Sequence, residues 1–283
     1  MSTRVAVVTG ANKGIGLAMV RALCKQFDGD VYLTARNEER GKKAVEDLEK
    51  EGLHPKFLQL DITSQESIEV IKKTLVEHYG ALDVLINNAG IHYSQANDPT
   101  PIGIQAHNTI TTNFTGTRNI CQELFPILRP QSRVVHISSE VCELSFKGMS
   151  KDLQMKLTSP ALTEHELAKI MENFVHTVEQ DIYKAAGYPS PVTSGFYFSQ
   201  AYGVSKIGVS LLAELQAKCI MKKGILINSC CPGWTRTDLG GNRAPQSPDE
   251  ATETPMYLAL LPPKSDGPHG KMFRNKTIYN WHS

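Results

Sequence analysis

Tyr202 and Lys206 are four residues apart in a stretch that continues as a helical packing face through Ile207–Leu212. Side chains four apart on a helix share a face, so the ammonium of Lys206 can lie beside the phenol of Tyr202. A free tyrosine loses its proton only at about pH 10, which is too high for efficient acid–base work at neutral pH, and a nearby cation favours the phenolate. The pair therefore predicts a proton-transferring phenol. The alternative, an exposed aromatic beside a solvated lysine, fits the apolar face poorly.

A second candidate site is a glycine-rich turn near the start of the chain. The apolar, β-branched run Val5–Val8 is followed by Gly10, Gly14 and Gly16 and then by a helix-like stretch. Such a turn brings backbone N–H groups and a helix N-terminus up to a phosphate. The spacing Gly-x-x-x-Gly-x-Gly is neither the Gly-x-Gly-x-x-Gly fingerprint nor a P-loop, because Lys13 precedes Gly14. A glycine turn without a ligand, as in any α/β protein, is the alternative.

Composition limits the class of protein. The chain has 283 residues, 30 Lys and Arg against 29 Asp and Glu, and a net charge of +1, which argues against nucleic acid or an acidic membrane as partner. No apolar run approaches the ~18 residues of a membrane span, and the first strand follows the N-terminus without a signal-peptide core, so we expect a cytoplasmic protein. Six irregularly spaced cysteines and nine scattered histidines predict free thiols and no metal site.

Short apolar runs alternate with helical stretches along the chain. This order predicts an α/β fold, a Rossmann-like doubly wound parallel sheet with helices on both faces. Without a linker or repeat, we expect a single domain over residues 1–283. The predicted strands are Val5–Val8, Val31–Thr34, Phe57–Leu60, Val84–Ile86, Val134–Ile137 and Ile225–Ile227.

Polar residues follow these strands, and the carboxyl ends of parallel strands bind ligands in one crevice. The second strand is followed by Arg36, where an acidic residue would bind the ribose 2′-hydroxyl of NAD. A carboxylate would repel a 2′-phosphate, whereas Arg36 and Lys13 offer it two cations. NADP(H) is therefore the expected cofactor. The alternative is that Arg36 is a solvated surface residue.

Four motifs occur in order: the glycine turn, Asn87-Asn88-Ala89-Gly90, Ser138-Ser139, and Tyr202-Gly203-Val204-Ser205-Lys206. Together they resemble the short-chain dehydrogenase/reductase family over nearly the whole chain. The stretches Asn228–Asp238 and Glu253–Pro263 are similar to the monomeric NADPH-dependent carbonyl reductases within that family.

The resemblance implies roles for the catalytic residues. Tyr202 would donate a proton to the carbonyl oxygen while NADPH gives hydride to the carbon, and Lys206 would also bind the nicotinamide ribose. Ser139 would hydrogen-bond the substrate oxygen, and Asn113 would support a water-linked proton path, whereas Ser138 would be structural. For Asn113, a buried amide that satisfies backbone groups is the alternative.

The resemblance also implies cofactor contacts from several strand ends. Asp61 and Ile62 would lie near the adenine, Asn88 on the ribose side, and Thr235 and Thr237 in a loop over the cofactor. The remaining implied contacts are Gly10, Asn12, Lys13, Gly14, Ile15, Gly16 and Arg36.

The connection from Ser139 to Tyr202 spans 63 positions (202 − 139), longer than is usual in the wider family. A helical insertion at about 145–195 contains a predicted capping box at Thr163–Glu166. Apolar residues then recur at helical spacing, which predicts an amphipathic helix packed on the body. They are Leu167, Ile170, Met171, Phe174, Val175, Val178 and Ile182. The resemblance implies that this insertion covers the usual oligomer contact and that the protein is a monomer.

Several residues are candidates for the substrate side. The aromatic segment 189–198 could wall a hydrophobic substrate or only pin its loop, and Trp234 could be a substrate wall or core. Cys230 and Cys231 could include a modifiable thiol, although an inert buried pair is the favoured interpretation. By resemblance, glutathione adducts would use a pocket that involves Gln105.

The sequence therefore predicts an NADPH-dependent reductase of small-molecule ketones, aldehydes or quinones. Two alternatives stay open. One is a hydroxysteroid or alcohol dehydrogenase that acts oxidatively, which the two cations argue against because the cytosolic NADP pool is mostly reduced. The other is an NADP-binding sensor or scaffold without turnover, which would have no need of the acid.

Overall fold

An eight-stranded sheet forms the centre of the computed structural model, which describes residues 3–95, 97–192, 197–220 and 224–282. The strand order is β3-β2-β1-β4-β5-β6-β7-β8. The strands are β1 (Val5–Val8), β2 (Asp30–Ala35), β3 (Lys56–Gln59), β4 (Leu82–Asn87), β5 (Leu128–Ile137), β6 (Leu226–Cys231), β7 (Met272–Arg274) and β8 (Thr277–Ile278).

All neighbouring strands are parallel except β7 and β8, which form an antiparallel edge. The predicted doubly wound sheet is confirmed, and the six predicted strands are present. Strands β7 and β8 were not predicted, because they have only three and two residues and no apolar run. Strand order reverses at β1, which pairs with both β2 and β4, so the crevice opens where these strands end.

The helices alternate with the strands. They are α1 (Gly14–Gln26), α2 (Glu38–Lys50), α3 (Gln65–Tyr79), α4 (Ile102–Ile110), α5 (Thr117–Leu124), α6 (Val141–Lys147), α7 (Lys151–Leu157), α8 (Glu164–Glu179), α9 (Gln200–Cys219) and α10 (Glu253–Ala259). A π-helical turn, Thr111–Gly116, joins α4 to α5. Among the residues that the structure describes, no helix has the length and apolar character needed to span a membrane.

Both faces of the sheet are buried. In β1, Val5 and Val7 belong to a core cluster with α3 and α5, whereas Ala6 and Val8 belong to a cluster with α1 and α10 on the opposite face. Alternate strand residues point to opposite faces, so a strand that is covered on both sides must be apolar throughout. This explains why β1 lacks polar alternation.

The insertion packs on α4 and α9 through its longest helix. The capping box at Thr163 and Glu166 begins α8, as predicted, and a third core cluster contains residues of α4, α8 and α9. The prediction was wrong at its last position, because Ile182 is 47% exposed. Helix α8 ends at Glu179, and Asp181 has a positive φ of 55°, which turns the chain away from the apolar stripe.

Candidate active site

The glycine turn lies against the carboxyl end of β4. Gly10 and Gly14 have φ values of +61° and +57°, which favour glycine. A Cβ on Gly10 would lie 2.7 Å from Cα of Ala89, and one on Gly16 would lie 2.6 Å from Nδ2 of Asn88. The turn therefore needs glycine for its backbone shape and for its close contact with β4.

Asn88 and Thr9 hold this contact by hydrogen bonds. Nδ2 of Asn88 donates to the carbonyl oxygens of Thr9 and Gly10, both at 2.9 Å. Oγ1 of Thr9 accepts from the backbone N–H groups of Asn88 and Ala89, both at 3.0 Å. The side chain of Asn88 thus shapes the turn, and its predicted contact with the ribose stays a prediction.

The loop after β6 lies over the glycine turn. A Cβ on Gly14 would lie 3.1 Å from Cγ2 of Thr237, and Nζ of Lys13 lies 2.5 Å from a carboxylate oxygen of Asp238. The buried hydroxyl of Thr235 donates to the carbonyl oxygen of Gly233 at 3.0 Å. Thr237 is therefore placed over the turn, where the ammonium of Lys13 faces Asp238, whereas Thr235 bonds within its own loop and its cofactor contact stays a prediction.

Arg36 lies beyond the end of β2, exposed to solvent. Within the described part of the chain, no carboxylate is in ion-pair distance of its guanidinium. Its backbone is fixed on both sides, because Gln59 donates to its carbonyl oxygen at 2.9 Å and Asn37 caps α2 by accepting from the N–H of Arg40. The site thus presents an unpaired cation at a defined point of the crevice edge.

Asp61 and Ile62 follow β3. One oxygen of Asp61 accepts from the N–H of Thr63 at 2.9 Å and from its hydroxyl at 2.7 Å, which fixes the carboxylate. Ile62 is buried, and a Cβ on Gly116 would lie 2.9 Å from its side chain. Asn12 and Ile15 are partly buried in the turn and first helix. The cofactor contacts of these four residues stay predictions.

Tyr202 and Lys206 lie in the first two turns of α9. Ser199 caps the helix by accepting from the N–H of Tyr202 at 3.2 Å. Nζ of Lys206 donates to the carbonyl oxygen of Ile137 at 2.8 Å and lies 5.5 Å from the centroid of the Tyr202 ring. Because Ile137 is the last residue of β5, the pair lies at the carboxyl end of the sheet, with the ammonium beside the phenol.

Burial controls the charge of both groups. It raises the pKa of Tyr202 above its ordinary value, an effect that the nearby hydroxyl of Ser139 opposes. Burial also lowers the pKa of Lys206 to about 8. Both effects arise because the charged form is disfavoured away from water. At neutral pH the phenol therefore keeps its proton and can donate it.

The two serines after β5 have different surroundings. The hydroxyl of Ser139 lies near the phenol of Tyr202 and accepts from the N–H of Val141 at 3.3 Å. Ser138 is buried, donates to the carbonyl oxygen of Lys206 at 3.1 Å and hydrogen-bonds the hydroxyl of Ser210 at 2.7 Å. Ser138 therefore ties α9 to β5, the structural role that was predicted, whereas Ser139 faces the phenol.

Asn113 lies in the π-helical turn and is buried. Its Nδ2 donates to the carbonyl oxygen of Ile91 and to the hydroxyl of Ser205, both at 3.0 Å, and its Oδ1 accepts from the N–H of Ile91 at 2.8 Å. Its own carbonyl oxygen accepts from the hydroxyl of Thr117 at 2.8 Å. The side chain thus satisfies backbone groups, as the alternative interpretation expected, and the water-linked path stays a prediction.

The predicted substrate residues outside this cluster have backbone partners of their own. The indole N–H of Trp234 donates to the carbonyl oxygen of Gly240 at 2.8 Å, and the amide of buried Gln105 donates to that of Thr100 at 2.8 Å. Each of these hydrogen bonds joins the side chain to the backbone of its own loop, five or six residues away. Contact of Trp234 or Gln105 with a substrate therefore stays a prediction.

All six cysteines are free thiols, as predicted. Cys230 and Cys231 are buried, and burial raises the pKa of both. A thiolate is the reactive form, so these values favour the inert pair. In the aromatic segment, residues 193–196 lie outside the described residues. Among all the residues that the structure describes, no group of three or more His, Cys, Asp or Glu could hold a metal ion.

His92 lies in the site although it was not predicted as a site residue. Its ring centroid lies 4.4 Å from that of Tyr202 and 5.5 Å from that of Phe198, with interplanar angles of 38° and 22°. Burial lowers its pKa to about 4, so the imidazole is neutral at pH 7. The available signal was its position, two residues after Gly90 in a motif that ends a strand.

Residues 4–151 match the family described as short chain dehydrogenase. Carbonyl reductase (NADPH) 1 of Homo sapiens is 49% identical over 281 residues, covering 98% of this chain and 98% of its own length. The protein of that name from Mus musculus is 48% identical over 284 residues, covering 99% of each chain. Among solved structures, salutaridine reductase from Papaver somniferum has a TM-score of 0.84 at 26% identity, covering 95% of this chain and 99% of that one. The chain therefore belongs to the short-chain dehydrogenase family, as its motifs predicted.

Proposed function

We propose that the protein is a carbonyl reductase that uses NADPH to reduce small-molecule carbonyl compounds. The observation that carries this is the buried phenol of Tyr202, beside Lys206 and near Ser139, at the end of the sheet that also carries the glycine turn. The relatives that are about half identical over nearly the whole chain are named for the same reaction and cofactor. Ketones, aldehydes and quinones are the proposed substrates.

The residues present fit NADPH. Side chains at Gly10 and Gly16 would collide with the end of β4, so glycine keeps the turn packed there, and its backbone N–H groups would hold the pyrophosphate. No side chain caps the N-terminus of α1, which leaves its first N–H groups for phosphate oxygens. Arg36 would hold the 2′-phosphate. The bound cofactor supplies the hydride.

The catalytic residues would then control the proton and the substrate. Tyr202 holds a proton on Oη and delivers it to the substrate oxygen. Ser139 donates a hydrogen bond to the same oxygen and fixes its position. Lys206 is anchored by the carbonyl oxygen of Ile137 and stabilises the negative charge that develops on Tyr202 as its proton leaves. Burial keeps water away from this transfer.

The test is the loss of NADPH absorbance with a quinone and with an aromatic aldehyde, for the parent and for Tyr202→Phe. Loss of a general acid costs roughly 10²–10⁴-fold in rate, so Tyr202→Phe should lose at least about a hundredfold in kcat with the aldehyde. NADPH binding should change little. A parent that binds NADPH but turns over neither substrate would support the sensor or scaffold instead.

The proposed oligomeric state is a monomer. Helix α8 covers α4 and α9 through Leu167, Met171 and Phe174, so the helices implied as the oligomer contact in relatives are already packed within the chain. Light scattering at micromolar protein should give a mass near the 31.2 kDa of one chain. A stable tetramer would contradict the proposal.

Two further proposals concern the substrate and the location of the protein. Glutathione adducts are proposed substrates that would bind at Gln105, whose amide donates to the carbonyl oxygen of Thr100. If the loop that contains these two residues forms the binding site, Gln105→Ala should lower the turnover of a glutathionylated aldehyde. The cytoplasmic location rests on composition, and fractionation of cells would test it.

A further inference from the structure

Ser205 lies on α9 between Tyr202 and Lys206 and is completely buried. Its hydroxyl donates to the carbonyl oxygen of Tyr202, three residues earlier, at 2.7 Å. The same hydroxyl oxygen accepts from Nδ2 of Asn113 at 3.0 Å. A serine hydroxyl has one proton to donate and lone pairs that accept, so both hydrogen bonds can form together. One buried hydroxyl thus joins the backbone of the proton donor to the side chain of Asn113.

The amide of Asn113 also holds a second segment of the site. Its Nδ2 donates to the carbonyl oxygen of Ile91 at 3.0 Å, and its Oδ1 accepts from the N–H of Ile91 at 2.8 Å. The residue after Ile91 is His92, whose ring centroid lies 4.4 Å from that of Tyr202. Asn113 is therefore bonded both to the helix that carries Tyr202 and to the loop that packs on its ring.

These contacts form a closed chain around Tyr202. From the backbone of Tyr202 the chain runs through Ser205 and Asn113 to the backbone of Ile91, and the ring of His92 then returns it to the phenol. Asn113 lies in a π-helical turn, a rare conformation that is frequent at functional sites. Asn113 and Ser205 are only 1% and 0% exposed, so the loss of either partner would leave a costly unpaired group. The backbone and the ring of Tyr202 are thereby held from two sides.

We propose that Ser205 is a positioning residue, which acts through Asn113 to hold Tyr202 in line with the substrate oxygen. The inference rests on the proposed function, because it assigns this hydrogen-bonded chain to the transfer of the Tyr202 proton. A displacement of about 1 Å can cost about a hundredfold in rate. A hydrogen bond that fixes the proton donor therefore contributes to catalysis without contact with the substrate.

The test measures the steady-state reduction of an aromatic aldehyde by NADPH. Ser205→Ala removes both hydrogen bonds, whereas Ser205→Cys weakens both and fills a similar space, which limits any folding defect. We expect kcat to fall about tenfold in both variants, as for one lost buried hydrogen bond, and KM for NADPH to stay within about twofold. The solvent deuterium isotope effect on kcat should rise, because a displaced phenol slows the proton transfer in particular.

Thr177→Val is the matched control. Thr177 is also a buried helical residue, and its hydroxyl donates to the carbonyl oxygen three residues earlier, that of Phe174, at 2.9 Å. It lies in the insertion helix α8, so this variant loses the same kind of backbone bond outside the site. It should keep the kcat and the isotope effect of the parent. If both Ser205 variants keep them too, the hydroxyl only stabilises its helix and the inference is wrong.

A double-mutant cycle tests whether Ser205 acts through Asn113. Ser205→Ala should cost about tenfold in the parent but less than about twofold in Asn113→Leu, where the amide is already absent. A loss of the same size in both backgrounds would contradict the inference, because Ser205 would then act independently of Asn113. Failure of the proposed function is distinct, because the parent itself would then not oxidise NADPH with the aldehyde.

Discussion

On the glycine-turn side of the crevice the charged side chains lie in water, whereas on the side of α9 they are buried. Lys13 and Asp238 are 62% and 78% exposed, and Arg36 is also exposed. Tyr202 and Lys206 are only 6% and 5% exposed. Both sides therefore use charge, but in different media.

The difference in burial separates cofactor binding, on the glycine-turn side, from proton transfer, on the α9 side. Exposed charges interact weakly, are screened by salt and can change partners, which suits a site that must bind and release a charged cofactor. Buried groups have shifted pKa values and strong electrostatic interactions, which suits proton transfer. Substitutions on the α9 side should therefore have larger effects that salt does not reduce.

The largest effect is expected for Lys206→Met, which keeps an apolar stem but removes the ammonium. The buried phenol then loses the charge that stabilises its anion, and kcat/KM should fall by about a hundredfold or more. Lys218→Met, an exposed position on the same helix, is the control and should stay within about twofold. Steady-state rates at low and high salt test this. A loss that disappears at high salt would contradict the buried-charge account.

The two sides also differ in how far the sequence predicted them. The strands, the glycine turn and the Tyr202–Lys206 pair were predictable because each follows from local spacing. The partners of these residues were not. Those partners depend on how segments distant in sequence meet in the fold. Examples are the hydrogen bond from Asn88 to the turn, the hydrogen bond between Asn113 and Ile91, and the ring contact of His92 with Tyr202. Short edge strands such as β7 lack a local signal, since pairing with β6 determines them.

His136 extends the comparison of buried and exposed groups to the free energy of unfolding. It is buried, and burial lowers its pKa to about 4 from an unfolded value of 6.5. The unfolded chain therefore takes up a proton first as the pH falls, so stability is complete above 6.5 and is lost progressively toward 4. Its share of the free energy of unfolding should fall by about 1.4 kcal/mol between pH 7.5 and about pH 5.5.

Urea unfolding at the two pH values tests this. His136→Gln should lose that part of the pH dependence, while His165→Gln, at an exposed position, should keep it. If both variants show the parent's slope, His136 titrates normally in the folded protein and the proposed effect of burial is wrong.

A smaller effect is expected for Arg36→Gln on the exposed side. Loss of a charge-assisted hydrogen bond to the 2′-phosphate should lower kcat/KM for NADPH about tenfold and leave NADH within about twofold. The loss should shrink at high salt because the guanidinium is exposed. Lys42→Gln, an exposed cation on α2, is the control. Equal losses with the two cofactors would show that Arg36 does not recognise the 2′-phosphate.

The smallest effect is expected for Asp238→Asn. The Lys13–Asp238 pair is exposed, so its loss should change the free energy of unfolding by less than about 1 kcal/mol. It should also free Lys13 for the cofactor phosphates, so NADPH should bind about twofold more tightly at low salt and unchanged at high salt. Asp249→Asn, an exposed partner of Arg21, is the control for charge alone. Weaker NADPH binding would instead mean that the ion pair holds the loop after β6 over the turn, because the contact between Thr237 and Gly14 would then depend on it.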